Sequence, residues 1–303
     1  MKKRVLLYLV LVAFACACAP LASAQTSAAA WSRYTYRGEE FSVELPGMPS
    51  LFNTVRAVGR MPFGEERVRV FSLYRDEVVY FVVAYDAPRS HETFDNFATW
   101  LRGAWGLAPK GELTLSGSEG RAYAVTGTQR GRLSYDLRGE GRVFRTKRHA
   151  YLALAVAQEE GRPEVARFLD SFALGSSPAG ERIDEEEEAP PFVPPQTPVV
   201  ESGRMGAIRE PLEAGDRRAQ IVYKPEPGYT EEARRKHVSG NIILRAVLSA
   251  DGTVTDIEPT KWLPNGLTER AIRVARRMRF FPAKKNGQPV EQRVILEYNF
   301  SIY

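Results

Sequence analysis

With 303 residues, of which 44% are hydrophobic, the chain is longer than one core usually organises and apolar enough to build two. Its net charge of +5 is mild for that length and excludes a dedicated nucleic-acid binder, whose charge would be clustered among exposed aromatics. The only cysteines, Cys16 and Cys18, fall near the start, so the rest of the chain has neither a disulfide framework nor a thiol nucleophile.

Residues 1–24 have the anatomy of a secretory signal: Lys2, Lys3 and Arg4, an apolar stretch from Val5 to about Ala19, then Ala22-Ser23-Ala24 ahead of Gln25. Cleavage after Ala24 would leave a periplasmic protein. Retention would make the segment an inner-membrane anchor facing the periplasm, although the apolar stretch is short for a span and Pro20 interrupts its end. The residues before Cys16 and Cys18 lack the Leu usual in a bacterial lipoprotein signal.

Residues 31–175 read as an α+β unit, an antiparallel sheet with two helices. Phe41, Val43 and Leu45 alternate with Ser42 and Glu44, and the runs 67–74 and 78–85 form a hairpin about Arg75-Asp76-Glu77. Ser90 caps a helix with Phe94, Phe97, Ala98, Leu101 and Trp105 on one face. Strands are predicted over 121–129, 132–137, 143–147 and 151–157, and Pro163 opens a last helix with Val165, Phe168, Leu169 and Phe172 inward. The Phe-Ser-Val-Glu-Leu-Pro-Gly opening (41–47) and the Arg-Phe-Leu-Asp-Ser-Phe close (167–172) loosely resemble the PsbP and Mog1 type of fold.

Residues 176–221 read as a linker. They contain Asp184 followed by Glu185–Glu188, then Pro190, Pro191, Pro194, Pro195 and Pro198. Charge repulsion and proline stiffness make this a semi-rigid tether, with a reach on the order of 130 Å at about 3.1 Å per residue. Contiguous acids without a Gly-turn loop suit a solvated linker better than a calcium site.

Residues 222–303 carry the densest set of local signals. Thr230 caps a short helix with Glu231 and Glu232 at its positive end, and Gly240 ends that segment. Asp251-Gly252 joins the strands 241–248 and 253–257 as a hairpin turn. Leu267, Ala271, Val274, Ala275 and Met278 make the apolar face of an amphipathic helix, with Arg270, Arg273 and Arg277 opposite as a basic docking face or plain solvated surface. Phe281-Pro282 is read as the stop of that helix and Asn286-Gly287 as a turn. The chain closes on an alternating strand: Val294, Leu296, Tyr298, Phe300 and Ile302 face one way, and Arg293, Glu297, Asn299 and Ser301 the other, with Ile295 the apolar residue out of phase. The order is α-β-β-α-β, helices over one face of a small antiparallel sheet.

The segment Lys-Pro-Glu-Pro-Gly-Tyr-Thr-Glu-Glu-Ala-Arg (224–234), Gly240, Asp251-Gly252, Gly266-Leu267 with Ala271, Phe-Pro-Ala-Lys-Lys-Asn-Gly-Gln-Pro-Val (281–290) and the closing strand resemble the C-terminal domain of TonB-type energy transducers. Thr230 stands where that family often has Pro, a change that leaves the helix start intact. The resemblance implies a non-enzymatic envelope protein that offers a sheet edge to an extended segment of an outer-membrane TonB-dependent transporter or another envelope protein. The edge residues are then Arg293, Ile295, Glu297, Asn299, Ser301 and Tyr303. In the transducers a Pro-rich spacer joins a membrane anchor to this domain, whereas here it joins two folded units. A linker segment covering the edge, or a second copy pairing through it as a homodimer, are the competing readings.

No cofactor is implied, and membrane contact follows only if residues 1–24 are retained. His91, His149 and His237 are scattered, Glu65-Glu66 and Glu159-Glu160 sit in turns, and no phosphate loop, nucleophile elbow or dinucleotide fingerprint is present. A small-ligand carrier in the N-terminal unit would require a deep pocket with converging polar groups.

Overall fold

The computed structural model describes residues 30–36, 38–54, 68–86, 107–125, 128–130, 133–135, 137–175 and 216–301. The leader, the helix predicted from Ser90, most of the Pro/Glu-rich linker, Ile302 and Tyr303 lie outside them.

The N-terminal unit is built on a seven-stranded antiparallel sheet. Its order is β3 (Ser50–Thr54), β4 (Val68–Arg75), β5 (Val78–Asp86), β11 (His149–Ala157), β10 (Arg138–Arg145), β7 (Ser118–Val125) and β6 (Leu107–Leu115). Asp76 and Glu77 both take positive φ, as a tight hairpin turn between β4 and β5 demands. Alternation then splits each strand between two faces. On one face lie Phe71, Tyr80, Val82, Phe144, Tyr151 and Ala153. They are covered by helix α1 (Pro163–Ser171) and by a small sheet of β1 (Ser32–Thr35), β2 (Phe41–Leu45) and β12 (Ala173–Leu174). Pro163 starts α1 at a position whose N–H would have no helical partner, and Val165, Phe168 and Leu169 are its buried stripe. Arg142 closes the far end, donating to Leu169 O at 3.0 Å and to Asp170 at 2.6 Å.

β6 is an edge strand whose Pro109, Lys110 and Gly111 give it no apolar period, which is why the sequence reading passed over it. β10 begins at Arg138, five positions ahead of the predicted Val143, because its first half is polar and contains Gly139 and Gly141. A further two-stranded ribbon pairs β8 (Thr128–Arg130) with β9 (Leu133–Tyr135).

The C-terminal unit runs β13 (Gln220–Tyr223), α2 (Glu231–Arg235), β14 (Gly240–Leu248), β15 (Val254–Lys261), α3 (Leu267–Ala275), β16 (Arg279–Phe281), β17 (Ala283–Lys285), β18 (Gln288–Val290) and β19 (Gln292–Phe300). The α-β-β-α-β order therefore omits four short strands. The helix ends at Ala275, and the Phe281-Pro282 step read as its stop instead closes strand β16. β13 lies partly inside the stretch read as linker, and Arg217 pairs with Lys284 ahead of it through hydrogen bonds of 2.8 and 2.7 Å.

The other face of the large sheet, with Val70, Val79, Phe81, Leu152 and Leu154, shares one apolar core with Tyr223, Leu244, Val274, Phe280, Leu296 and Tyr298 of the C-terminal unit. The contact is made by the β13–β16 ribbon. Tyr223 meets Phe81 edge-on at 5.7 Å and Phe281 meets Tyr74 at 6.0 Å. Next to Tyr223 in register, Arg279 donates to Ser72 O at 3.1 Å and to the Ser50 hydroxyl. Burial pulls the Arg279 pKa down to about 10, since the guanidinium sits in the interface on neutral oxygens. Gln158 donates to Gln220 at 2.8 Å, and Lys284 pairs with Glu77. Gly252, at φ +85° in the β14–β15 turn, lies so close to Tyr74 that a Cβ there would sit 2.0 Å from the ring.

Candidate functional site: the flank of the closing strand

The small C-terminal sheet has the order β15-β14-β19, all antiparallel, so β19 is an edge. Its inward residues Leu296, Tyr298 and Phe300 are buried with α3's Leu267, Ala271 and Val274, while Arg293, Ile295, Glu297 and Asn299 are exposed. Ile295 is 52% exposed, one of two large apolar side chains so placed among the described residues.

Backbone direction follows from two contacts. Thr260 Oγ1 donates to Ile243 O on the β15 side of β14, so the Ile243↔Glu297 pair exchanges no ladder bonds. Glu297 O correspondingly points away from β14 and accepts from Lys224 Nζ at 2.6 Å. By alternation, the N–H and C=O groups of Arg293, Ile295, Glu297 and Asn299 all line the outer flank. Among the described residues β14 is the only strand paired with β19.

The stretch from Lys224 to Tyr229 touches β19 at its two ends. Lys224 lies over the Tyr298 ring at 4.2 Å, and Tyr229 packs edge-on against Phe300 at 5.4 Å while donating to Val238 O. Burial, reinforced by the Glu226 charge, drives the Tyr298 phenol above its ordinary pKa. Lys224 is the edge residue that sequence reasoning missed: a lysine before Pro225 carries no sign that its ammonium will fold back over a strand distant in sequence. On the outer face, Asn241 donates to Glu297, whereas Arg293 makes no ion pair among the described residues.

The other predicted positions are spread differently. Ser301 is exposed just past the end of β19, and Tyr303 lies outside the described residues. Of the predicted basic face, Arg270 is exposed on α3 beside Gly228, Arg273 is half-buried on α3, and Arg277 falls past the helix end, half-buried; both of the latter are engaged within the fold. His149 bonds Glu40 at 3.2 Å, and His237 turns to a neighbouring carbonyl.

Among the described residues no group of three His, Cys, Asp or Glu side chains could hold a metal, and no helix is long and apolar enough to cross a membrane. An open depression of about 660 Å³ lies beside the start of α1, lined by Val125, Arg138, Glu140, Glu160 and Arg162 among others. Both its arginines are paired, Arg138 to Glu160 at 3.0 Å, and Arg162 to Glu164 at 3.5 Å and Glu77 at 3.7 Å.

Residues 225–302 match the family model described as the Gram-negative bacterial TonB protein C-terminal. The C-terminal unit belongs to that family. The TonB-type region spans α2 through β19 and so contains the whole of the open flank. A solution structure of the Pseudomonas aeruginosa TonB CTD is similar over 33% of this chain and 96% of its own length, with 20% identity and a TM-score of 0.26. No curated protein matches the chain.

Proposed function

We propose that this is a non-enzymatic protein of the cell envelope, acting in TonB-dependent transport. Its TonB-type unit takes an extended segment of an outer-membrane transporter, or of another envelope protein, as a fourth strand along β19. The observation that supports this reading is the outer flank of Arg293, Ile295, Glu297 and Asn299, whose backbone donors and acceptors face no strand among the described residues. Each new inter-strand bond is worth about 0.5–1.5 kcal/mol net, so a handful of them, less the association cost, makes a reversible grip. Exposed Arg270 adds a positive charge near Gly228 for an acidic flanking residue. The protein works in the periplasm. Coupling to inner-membrane energy would further require residues 1–24 to persist as an anchor, because only a tethered domain can transmit tension.

The test uses Glu297→Pro. The N–H removed points outward, so the β14 ladder survives while an added strand loses a bond and meets the ring. Pull-down from envelope extracts should capture a transporter or envelope protein with the wild type and lose it with the variant. Equal capture by both would refute strand addition at β19.

A further inference from the structure

Arg293, Ile295 and Glu297 follow one another on the outer face of β19, a basic, an apolar and an acidic group at every second position. In register within the sheet, Arg293 lies beside Val247 and Glu297 beside Ile243, so neither meets a counter-charge across the ladder. The Glu297 carboxylate accepts from the neutral Asn241 amide, and neither it nor Arg293 makes an ion pair among the described residues. The neighbouring strand shows the contrast. Arg245, in register with Ile295, reaches Glu258 of β15 at 3.7 Å. The two charges of β19 are thus left to be matched from its open side.

We infer that the strand taken up along β19 carries an acidic, an apolar and a basic residue at alternate positions, set against Arg293, Ile295 and Glu297. This rests on strand addition at β19 and adds what the added strand displays. Side chains of opposed residues in adjacent strands come within about 4.5–5.5 Å of one another at Cβ, close enough for ion pairing and for covering the half-exposed Ile295. The register is selective. A slip of one residue turns the whole set to the other face, where Leu296 and Tyr298 lie; a slip of two sets a charge against Ile295 and forfeits an ion pair. A strand parallel to β19 meets the three groups in the order acidic, apolar, basic, and an antiparallel one in the reverse order. The charge order of the added segment therefore fixes its direction.

Fluorescence anisotropy of the purified full chain with dye-labelled, end-blocked heptapeptides reads this selectivity. One peptide, Thr-Asp-Thr-Val-Thr-Lys-Thr, carries the mixed pattern; a second has Asp at both charged places and a third has Lys at both. The wild type should bind the mixed peptide about three- to tenfold more tightly than either single-sign peptide, and the margin should shrink at high salt. Arg293→Glu makes both charged positions of the flank acidic and should turn the preference to the Lys peptide. Glu297→Arg should turn it to the Asp peptide. A reversed preference, unlike a loss of binding, cannot come from misfolding. Equal binding of all three peptides by the wild type, or variants that keep the wild-type order, would overturn the inference and leave strand addition standing. Binding of none of them up to millimolar concentration would sink strand addition and the inference together.

Discussion

Tyr223 stands edge-on against Phe81 with ring centroids 5.7 Å apart, and the next residue, Lys224, reaches the Glu297 carbonyl on the outer flank of β19. One short strand thus joins the apolar contact between the two units to the candidate binding edge. Phe81 belongs to a sheet buried on both faces, so Tyr223 is fixed by a rigid neighbour, and the backbone that carries Lys224 is fixed with it.

Removing the Tyr223 ring tests that joint. Tyr223→Ala deletes a buried aromatic at the shared core and should cost about 3 kcal/mol of stability, read as a lower urea midpoint. Because the core is continuous, the wild type should unfold in a single transition with coincident near- and far-ultraviolet signals. Two well-separated transitions in the wild type would contradict a common core.

The edge contact predicts a gain on removal. Lys224→Met keeps an apolar stem on the Tyr298 ring while freeing Glu297 O. With one hydrogen bond worth about 0.5–1.5 kcal/mol net, affinity for whichever strand pairs with β19 should rise by about two- to tenfold. Titration of a captured partner segment provides the reading; unchanged affinity would show that Lys224 does not obstruct the edge.

Acid should loosen the N-terminal unit through Glu40. Burial raises its pKa, but hydrogen bonds from Thr146, Arg148 and His149 outweigh that and hold it below the ordinary 4.5. A folded-state pKa depressed in this way contributes stability that is present above the unfolded value and is lost as pH falls through the folded one. Glu40→Gln should therefore lower the melting temperature at neutral pH, and the gap to the wild type should close as pH drops below about 4.5. A gap that stays constant with pH would mean that the carboxylate charge contributes nothing.

Much of the C-terminal unit was legible because its signals are local. Asp251-Gly252 announces a turn by itself, since Gly252 needs positive φ and the Asp251 carboxylate accepts from Thr253 N at 2.9 Å. Thr230 caps Ala233 N at 3.0 Å, and the alternation through β19 places Leu296, Tyr298 and Phe300 inward without knowledge of any partner. The exposed and buried sides of the closing strand could be sorted from the residue pattern alone.

What stayed hidden were features whose cause lies far away in sequence. Strands β13, β16, β17 and β18 are only three or four residues long, too short to show a period, and exist because paired backbone satisfies its hydrogen bonds when another segment arrives. Arg279 reads as one more basic residue after a basic helix; its burial over Ser72 depends on a strand more than two hundred positions earlier. The amino-acid pattern by itself determined which residues turn, cap and alternate, because those preferences are settled within a few bonds of each Cα. Only the tertiary structure decided that the two units share a core and that Lys224 lies across the edge, because such contacts arise from chain closure, to which no local preference responds.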